Sequence, residues 1–155
     1  MVEKTDTNLI IDFLKAHPDV GPNIEYVHFI QANEGKYVDF PADLDIRIAR
    51  SLKSRGIERL YSHQKRCWDI LSSGDHLVVV TPTASGKTLC YNLPVLQAIL
   101  DDPTCRALYL FPTKALSQDQ VAELNGVIDV MGESIKVYTF DGDTPQNARQ
   151  AIRKQ

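Results

Sequence analysis

The 155-residue sequence lacks the features that mark membrane, secreted and zinc-binding proteins. No apolar run approaches the roughly 18 residues that a membrane-spanning helix needs, and the first residues lack the basic and then apolar layout of a signal peptide. The three cysteines (Cys67, Cys90 and Cys105) include no Cys-x-x-Cys pair and favour neither a disulfide framework nor a zinc site. We therefore expect a cytoplasmic protein without membrane association, whose cysteines are small buried residues.

Charge is unevenly distributed along the chain. Residues 1–42 carry seven Asp or Glu against three Lys or Arg, whereas residues 43–66 carry seven Lys or Arg against three Asp or Glu. A local excess of positive charge is typical of proteins that bind polyanions. The same charges also suit the two ends of one helix, because acidic residues favour its start and basic residues its end. Both interpretations remain open from charge alone.

Helices and strands alternate along the sequence. Hydrophobic periodicity and turn residues predict helices at 8–16, from Pro41, at 63–73, 87–101 and 114–131, and from Pro145. They predict strands at 76–81, 106–111 and 135–140, and a hairpin from 25–31 and 36–40. Apolar strands that alternate with helices are typical of a mostly parallel sheet with helices on both faces. We expect an α/β domain at 41–155, preceded by a helix and hairpin extension at 1–40.

Three polar stretches follow the three predicted parallel strands. They are Thr81–Thr88, Pro112–Lys114 and Asp141–Thr144. The carboxyl ends of parallel strands meet at one edge of a sheet, where ligands bind in such folds. The site is therefore predicted at this edge.

The first of these stretches has the composition of a phosphate-binding loop. Such a loop needs small residues whose backbone N–H groups surround phosphate oxygens, a lysine for the β- and γ-phosphates, and a hydroxyl for Mg²⁺. Those residues are supplied by Ala84, Ser85, Gly86, Lys87 and Thr88, after a strand and at the start of a helix. The general G-x-x-x-x-G-K-[ST] pattern differs only in having glycine where this chain has Thr81.

Four segments resemble motifs of superfamily-two helicases of the DEAD/DEAH (DExH) type. TPTASGKT (Thr81–Thr88) resembles motif I, in which the first glycine is commonly replaced, and LYSHQ (Leu60–Gln64) resembles the adenine-reading Q motif. FPTKALSQDQ (Phe111–Gln120) resembles motif Ia, and FDGDTP (Phe140–Pro145) is similar to the next motif. The sequences of these motifs resemble those of the branch that contains the bacterial mitomycin-repair helicases and their fungal RecQ-four-like relatives.

The resemblance implies a RecA-like P-loop motor domain that uses ATP and Mg²⁺. Lys87 and Thr88 would have the catalytic roles, with Thr88 as the Mg²⁺ ligand. The nucleotide would be bound by Tyr61, Gln64, Thr83, Ala84, Ser85, Gly86, Lys87 and Thr88. The Gln64 amide suits the N6 and N7 edge of adenine, and Tyr61 is either a base-stacking residue or a core tyrosine.

The resemblance also implies a single-stranded nucleic acid partner, with DNA favoured over RNA. The residues carried over for this role are Pro112, Thr113, Lys114, Gln118, Gly142, Asp143 and Thr144. Lys114 and the N–H groups at the start of its helix would hold one phosphate. The turn at Gly142–Thr144 would present N–H groups to another, although Thr144 also suits the capping of the helix that follows.

The sequence lacks the Asp-Glu dipeptide with which this family holds Mg²⁺ and positions water. Phosphoryl transfer to water needs such a carboxylate. We therefore expect the chain to be the N-terminal motor part of an ATP-dependent helicase, incomplete at its C-terminus, that acts on DNA in repair and needs the remainder of the helicase chain for turnover.

Two other hypotheses remain open from sequence. The chain could be a small P-loop NTPase or kinase in which Asp141 is the metal carboxylate, since this residue also follows an apolar strand. It could instead be a non-catalytic interaction module. Binding of nucleic acid separates the first from a helicase, and loss of ATP binding favours the second.

Overall fold

The computed structural model describes residues 7–30, 34–82 and 85–154, and the chain divides into two compact units, Met1–Glu34 and Gly35–Gln155. The first unit contains helix α1 (Thr7–Ala16) and a 3₁₀ turn at Gly21–Asn23. The N–H of Gly21 donates to the His17 carbonyl at 2.8 Å, in the turn that follows the helix. Leu9 and Phe13 of α1 are 67% and 69% exposed, so within its own unit this helix leaves its largest apolar side chains uncovered.

The predicted hairpin differs from the structure. Residues 24–30 contain no strand, and part of the predicted turn (Ala32 and Asn33) lies outside the described residues. Strand β1 (Tyr37–Val38) pairs instead with β2 (Leu60–Tyr61), antiparallel and with Val38 opposite Leu60. Leu60 is fully buried, and its pairing with Val38 therefore attaches β1 to the core of the second unit.

Five helices of the second unit follow the order predicted from sequence. They are α2 (Ile46–Ser54), α3 (Ser62–Ser72), α4 (Lys87–Asp101), α5 (Lys114–Met131) and α6 (Gln146–Ile152). Helix α2 begins later than Pro41 because Asp45 is its N-cap and accepts a hydrogen bond from the Arg47 N–H at 2.8 Å. It ends at Ser54, and Gly56, two residues later, has a φ of 79° in the left-handed region that glycine favours.

A single cluster of buried side chains joins α2, α3, α4, α5 and β2. The predicted apolar stripe of α2 is part of it, since Leu44, Ile48 and Leu52 are all buried. Full burial of one such side chain contributes about 1.5–3 kcal/mol. Ser51 is also buried, and its hydroxyl donates to the Val127 carbonyl of α5 at 2.8 Å. The core therefore fixes α2 against α5 through both apolar packing and a satisfied polar contact.

The predicted parallel sheet is not seen among the described residues, whose assigned strands form only the β1–β2 pair. Residues 76–81, 106–111 and 135–140 are without regular secondary structure, but burial alternates along 76–81, 108–111 and 135–138 as in strands with one covered face. Ile135 and Val137 pack against the core, whereas Tyr138 and Phe140 are exposed, and Val78 and Val80 are 89% and 88% exposed. Helices therefore do not cover both faces of these segments here.

All three cysteines are free thiols, and Cys67 and Cys90 are buried as expected, while Cys105 is half-buried. Burial raises the pKa of the Cys90 thiol to about 12, so this thiol is not a reactive one. Among the described helices, none combines the length and the apolarity needed to span a membrane.

Candidate functional site

The Gly-Lys-Thr segment opens helix α4. Gly86 is the residue before the helix, with φ 72° and ψ 31°, a left-handed conformation that side chains disfavour. Lys87 is the first helical residue, and its ammonium group contacts the preceding loop. It donates to the carbonyls of Pro82 at 2.7 Å and Thr81 at 3.1 Å. The loop residues Thr83 and Ala84 lie outside the described residues.

Thr81 has a role in this loop that sequence reasoning missed. Its hydroxyl lies 2.6 Å from the Ser85 hydroxyl and 3.3 Å from the Lys87 ammonium nitrogen. The position at which the general pattern has glycine therefore contributes an oxygen that binds the lysine. The signal in the sequence was the hydroxyl itself, which glycine cannot supply.

Gln64 connects the loop to the segment before it. Its side chain is buried, and its Oε1 accepts from the Tyr61 N–H at 2.8 Å. Its Nε2 donates to the Gly86 carbonyl, also at 2.8 Å. A Cβ atom at Gly86 would lie only 2.7 Å from this nitrogen, so the contact requires glycine there as well. The sequence predicted Gln64 for the nucleotide but not this attachment to the loop.

Tyr61 lies in a stack of three rings next to Gln64. Its ring centroid is 4.8 Å from that of Tyr37 and 5.6 Å from that of His63, with interplanar angles of 28° and 15°. The Tyr37 hydroxyl donates to the Tyr61 hydroxyl at 3.2 Å, which raises the pKa of Tyr37. The Nε2 atom of His63 is buried without a hydrogen-bond partner in the described part of the chain. Neither Tyr37 nor His63 was predicted to take part.

A cavity of about 580 Å³ lies between the rings and the loop. Its lining includes Tyr37, Tyr61, Gln64, Gly86 and Thr88. The aromatic side chains in this lining suit a planar base, and the helix start at Gly86 and Thr88 suits a chain of phosphates. Of the predicted nucleotide-binding residues, Tyr61, Gln64, Gly86 and Thr88 line this cavity, whereas Ser85 and Lys87 contact Thr81 in the loop.

The second group of predicted residues lies at the start of α5. Thr113 is the N-cap, and its hydroxyl accepts from the Leu116 N–H at 3.2 Å. Lys114, the first residue of the helix, forms an ion pair with Asp143. Pro112 and Gln118 are exposed beside them. This contact brings the two predicted strand-binding segments together.

The turn at 141–144 uses the N–H groups of Asp141, Asp143 and Thr144 internally. Asp141 Oδ1 accepts from the Asp143 N–H at 2.9 Å, from the Thr144 N–H at 3.1 Å and from the Thr144 hydroxyl at 3.2 Å. These hydrogen bonds lower the pKa of Asp141, and the bond from Asp143 has the largest effect. The Asp143 and Thr144 N–H groups, which were expected to face a phosphate, are therefore occupied within the turn, and Thr144 does not cap α6 either.

Arg149 is a further residue of this site that sequence reasoning missed. Its guanidinium donates to the carbonyls of Asp141 at 2.6 Å, Thr144 at 2.7 Å and Gly142 at 3.2 Å. Three carbonyls of one turn are thus held by a single side chain from α6. No sequence pattern indicated this, because the contact depends on how the turn folds back over its own helix.

A hydrogen bond joins the helices that carry the two sites. The Tyr91 hydroxyl in α4 donates to Gln120 Oε1 in α5 at 2.6 Å. The Tyr91 ring meets the Tyr109 ring edge-on, with centroids 5.7 Å apart, and burial raises the pKa of Tyr109 to about 12. The starts of α4 and α5 are therefore fixed in one structural unit.

Comparison with known proteins gives consistent matches. The chain matches the sequence model of the DEAD/DEAH box helicases over residues 61–155. It is 52% identical over 154 residues to the uncharacterized ATP-dependent helicase YprA of Bacillus subtilis, a match that covers 99% of this chain and 20% of that protein. It is 40% identical over 131 residues to the ATP-dependent helicase hrq1 of Schizosaccharomyces pombe, covering 83% of this chain and 12% of that protein.

The same likeness extends to a solved structure. The crystal structure of the DUF1998 helicase MrfA bound to DNA and AMPPNP has a TM-score of 0.81 to this chain at 51% identity. The superposition covers 97% of this chain and 20% of that one. The chain therefore spans about a fifth or less of the length of the relatives it matches.

Proposed function

The chain belongs to the DEAD/DEAH box helicase family, which has a RecA-like P-loop fold, and on that premise we propose that it is the ATP-binding and single-strand-binding part of an ATP-dependent helicase. The observation that carries this proposal is the attachment of the buried Gln64 amide to the carbonyl of Gly86, the residue before Lys87. In this proposal the Gln64 amide reads the base and the Lys87 ammonium group binds the phosphates. The proposed substrate of the whole protein is DNA, in repair, since the relative MrfA was solved bound to DNA.

In the proposed nucleotide complex the Lys87 ammonium exchanges its loop carbonyls for phosphate oxygens. The neutral oxygens of Thr81 and Pro82 that hold it are weaker partners than a charged phosphate, because the phosphate adds an attraction between opposite charges to the hydrogen bond. The adenine would lie beside the ring stack of Tyr37, Tyr61 and His63, next to Gln64. The fixed position of the Gln64 amide orients the base without a large rearrangement of the loop.

Mg²⁺ would be held by the Thr88 hydroxyl together with the phosphates. A Mg²⁺ ion in nucleotide sites commonly takes only one or two ligands from the protein and others from phosphates, so a single hydroxyl at the start of α4 suits this role. When bound, the ion neutralises charge that develops on the transferred phosphoryl group. The chain's own contribution is to bind and orient the nucleotide through Lys87, Gly86 and Gln64.

Turnover and movement along a strand are proposed to need parts of a longer protein. This sequence has no Asp-Glu dipeptide, and the chain spans 20% of the helicase YprA. Arginine groups that stabilise the charge of a transferring phosphoryl group can be worth 10³ or more in rate. We therefore propose that the chain alone binds ATP without strand-stimulated hydrolysis.

The parallel sheet is part of the same proposal. Residues 76–81, 106–111 and 135–140 have one half-buried face and one exposed face, and their exposed faces carry apolar side chains such as Val78, Leu108 and Phe140. Exposed apolar faces of this kind mark surfaces that are covered in the working protein. We propose that these segments become strands of a parallel sheet in the motor domain, assigned to residues 41–155, with residues 1–40 as an extension.

The test measures both ligands on one preparation. ATP with Mg²⁺ is titrated by calorimetry, and a fluorescent single-stranded DNA oligonucleotide by anisotropy at low salt. The proposed function predicts that both bind. Binding of ATP with no binding of DNA or RNA strands would support the small NTPase instead, and binding of neither would leave an interaction module.

A further inference from the structure

The Lys114 ammonium group, which the proposed function assigns to a strand phosphate, already has an anionic partner. Its Nζ atom contacts Asp143 Oδ2, and the two side chains are 50% and 82% exposed. The two residues are 29 positions apart in sequence. The contact therefore joins the start of α5 to the turn before α6, which are the two segments assigned to the strand.

The turn presents this carboxylate to Lys114 in a fixed arrangement. Asp141 accepts from the N–H groups of both Asp143 and Thr144, and Arg149 holds three carbonyls of the same turn. The Asp143 and Thr144 N–H groups are thus used internally, and the Asp143 carboxylate is the group that reaches towards α5. A strand that approaches Lys114 therefore meets a negative charge from this turn.

A phosphate and the Asp143 carboxylate are alternative partners for the same cation. Both accept charge-assisted hydrogen bonds from an ammonium group, and they repel each other when both are close to it. Of the charged groups near Lys114, Asp143 has the largest effect on its pKa, which it raises, and Asp141 adds to this through charge alone. The cation is therefore neutralised locally before any strand binds.

We propose that Asp143 is an internal competitor that occupies the position of a strand phosphate on Lys114, and that a strand binds there by displacing it. This inference rests on the proposed function. It makes Asp143 a residue that weakens strand binding and reduces its dependence on salt, instead of a residue that contacts the strand favourably.

The test compares strand affinity of the wild-type chain with that of the Asp143→Asn variant. A surface ion pair of this kind is worth little, so its loss should increase affinity by about three- to fivefold at low salt. Because Lys114 then binds a phosphate without first releasing Asp143, the salt slope for a single strand should steepen by about 0.7. The matched control is Asp119→Asn, which removes an exposed carboxylate from α5 five residues after Lys114 and should change affinity much less.

A double-mutant cycle separates this inference from the function on which it rests. Lys114→Ala should weaken strand binding only slightly in the wild-type background and clearly more in the Asp143→Asn background. If Asp143→Asn binds the strand no better than Asp119→Asn, and with the same salt slope, the competitor is excluded while the proposed function stands. If no variant binds a strand at all, the proposed function and this inference both fail.

A second measurement needs no nucleic acid. An amine-reactive acetylating reagent modifies the unprotonated form of lysine, and mass spectrometry of the digested protein reports each site. Loss of the Asp143 partner lowers the pKa of Lys114, so Asp143→Asn should raise the modification rate of Lys114, while Asp119→Asn should not. Equal rates in wild type and Asp143→Asn would show that the ion pair is not populated in solution and would overturn the inference.

Discussion

The nucleotide side of the molecule (Tyr61, Gln64 and Gly86–Thr88) and its strand side (Thr113, Lys114 and Asp141–Thr144) are built from different kinds of contact. On the nucleotide side a buried amide joins two backbone groups from separate segments. On the strand side the joining contact is an exposed ion pair. Loss of a buried hydrogen-bonding group costs about 1–3 kcal/mol, whereas an exposed ion pair contributes about 0–1 kcal/mol. The first side is therefore preorganised, and the second is adjustable by a ligand.

Among changes on the two sides, Lys87→Ala is expected to have the largest effect, which is a loss of ATP affinity. Removing the ammonium group takes away a hydrogen-bonding cation that the phosphates would use, and such bonds contribute about 1.5–3 kcal/mol. ATP affinity measured by calorimetry should fall by about 10- to 150-fold. Lys154→Ala, which removes an exposed lysine from the residues after α6, should bind ATP like the wild type. Equal ATP binding by Lys87→Ala and Lys154→Ala would remove the nucleotide site from this loop.

Gly86→Ala should have the next largest effect. The new Cβ would lie 2.7 Å from Gln64 Nε2 and would sit at a φ of 72°, a conformation that costs a side chain about 1–2 kcal/mol. ATP affinity should fall by about tenfold because the loop and the Gln64 amide must separate. Gly132→Ala is a close control, since its φ is 71° but no atom lies within 4 Å of the new Cβ. If both variants lower ATP affinity equally, the Gln64 contact is not what positions the loop.

Gln64→Ala tests the amide itself. It leaves the Tyr61 N–H and the Gly86 carbonyl without this partner, so the free energy of unfolding should fall by about 1–3 kcal/mol in urea titrations. The preference for ATP over GTP should disappear, while binding of the phosphates persists. Gln150→Ala, on the exposed surface of α6, should change neither quantity. Unchanged base preference in Gln64→Ala would mean that another residue reads the base.

The smallest effect concerns pH on the strand side. The Asp143 and Thr144 hydrogen bonds hold the pKa of Asp141 below its ordinary value of 3.8. Because the folded pKa lies below the unfolded one, the carboxylate stabilises the turn fully above pH 3.8 and loses this contribution as pH falls through the folded pKa. The amide signals of Asp143 and Thr144 in NMR should therefore titrate below pH 3.8. If these amide signals titrate in the same way in Asp141→Asn, the titration belongs to another group.

The helices were predictable because their signals are local. Asp45 and Thr113 are N-caps, and Gly56 and Gly132 follow the ends of α2 and α5 in left-handed conformations. Each signal acts within a few residues, so sequence periodicity and capping located all five helices of the second unit. The Gly-Lys-Thr segment was found for the same reason, since the loop and the helix follow one another directly.

Contacts between distant segments were not predictable. The β1–β2 pairing replaced the expected hairpin because Leu60, more than 20 residues after β1, is buried in the core. The Gln64–Gly86 and Lys114–Asp143 contacts join residues 22 and 29 positions apart. Their formation depends on how helices pack, which no short motif encodes. The sequence therefore predicted which residues are chemically suited to the site, and the structure adds which of them already bind one another.

The most direct test of the central claim is an NMR titration of the isotope-labelled chain with ATP and Mg²⁺. The account predicts that the largest changes in chemical shift occur at Tyr61, Gln64 and Gly86–Thr88, with Asp141 and Asp143 little affected. The side-chain amide signals of Gln64 should shift strongly, because in the proposed complex this group would lie between the base and the loop. Shifts centred on Asp141, or shifts spread evenly over the chain, would contradict a nucleotide site built on Gln64 and the Gly-Lys-Thr helix start.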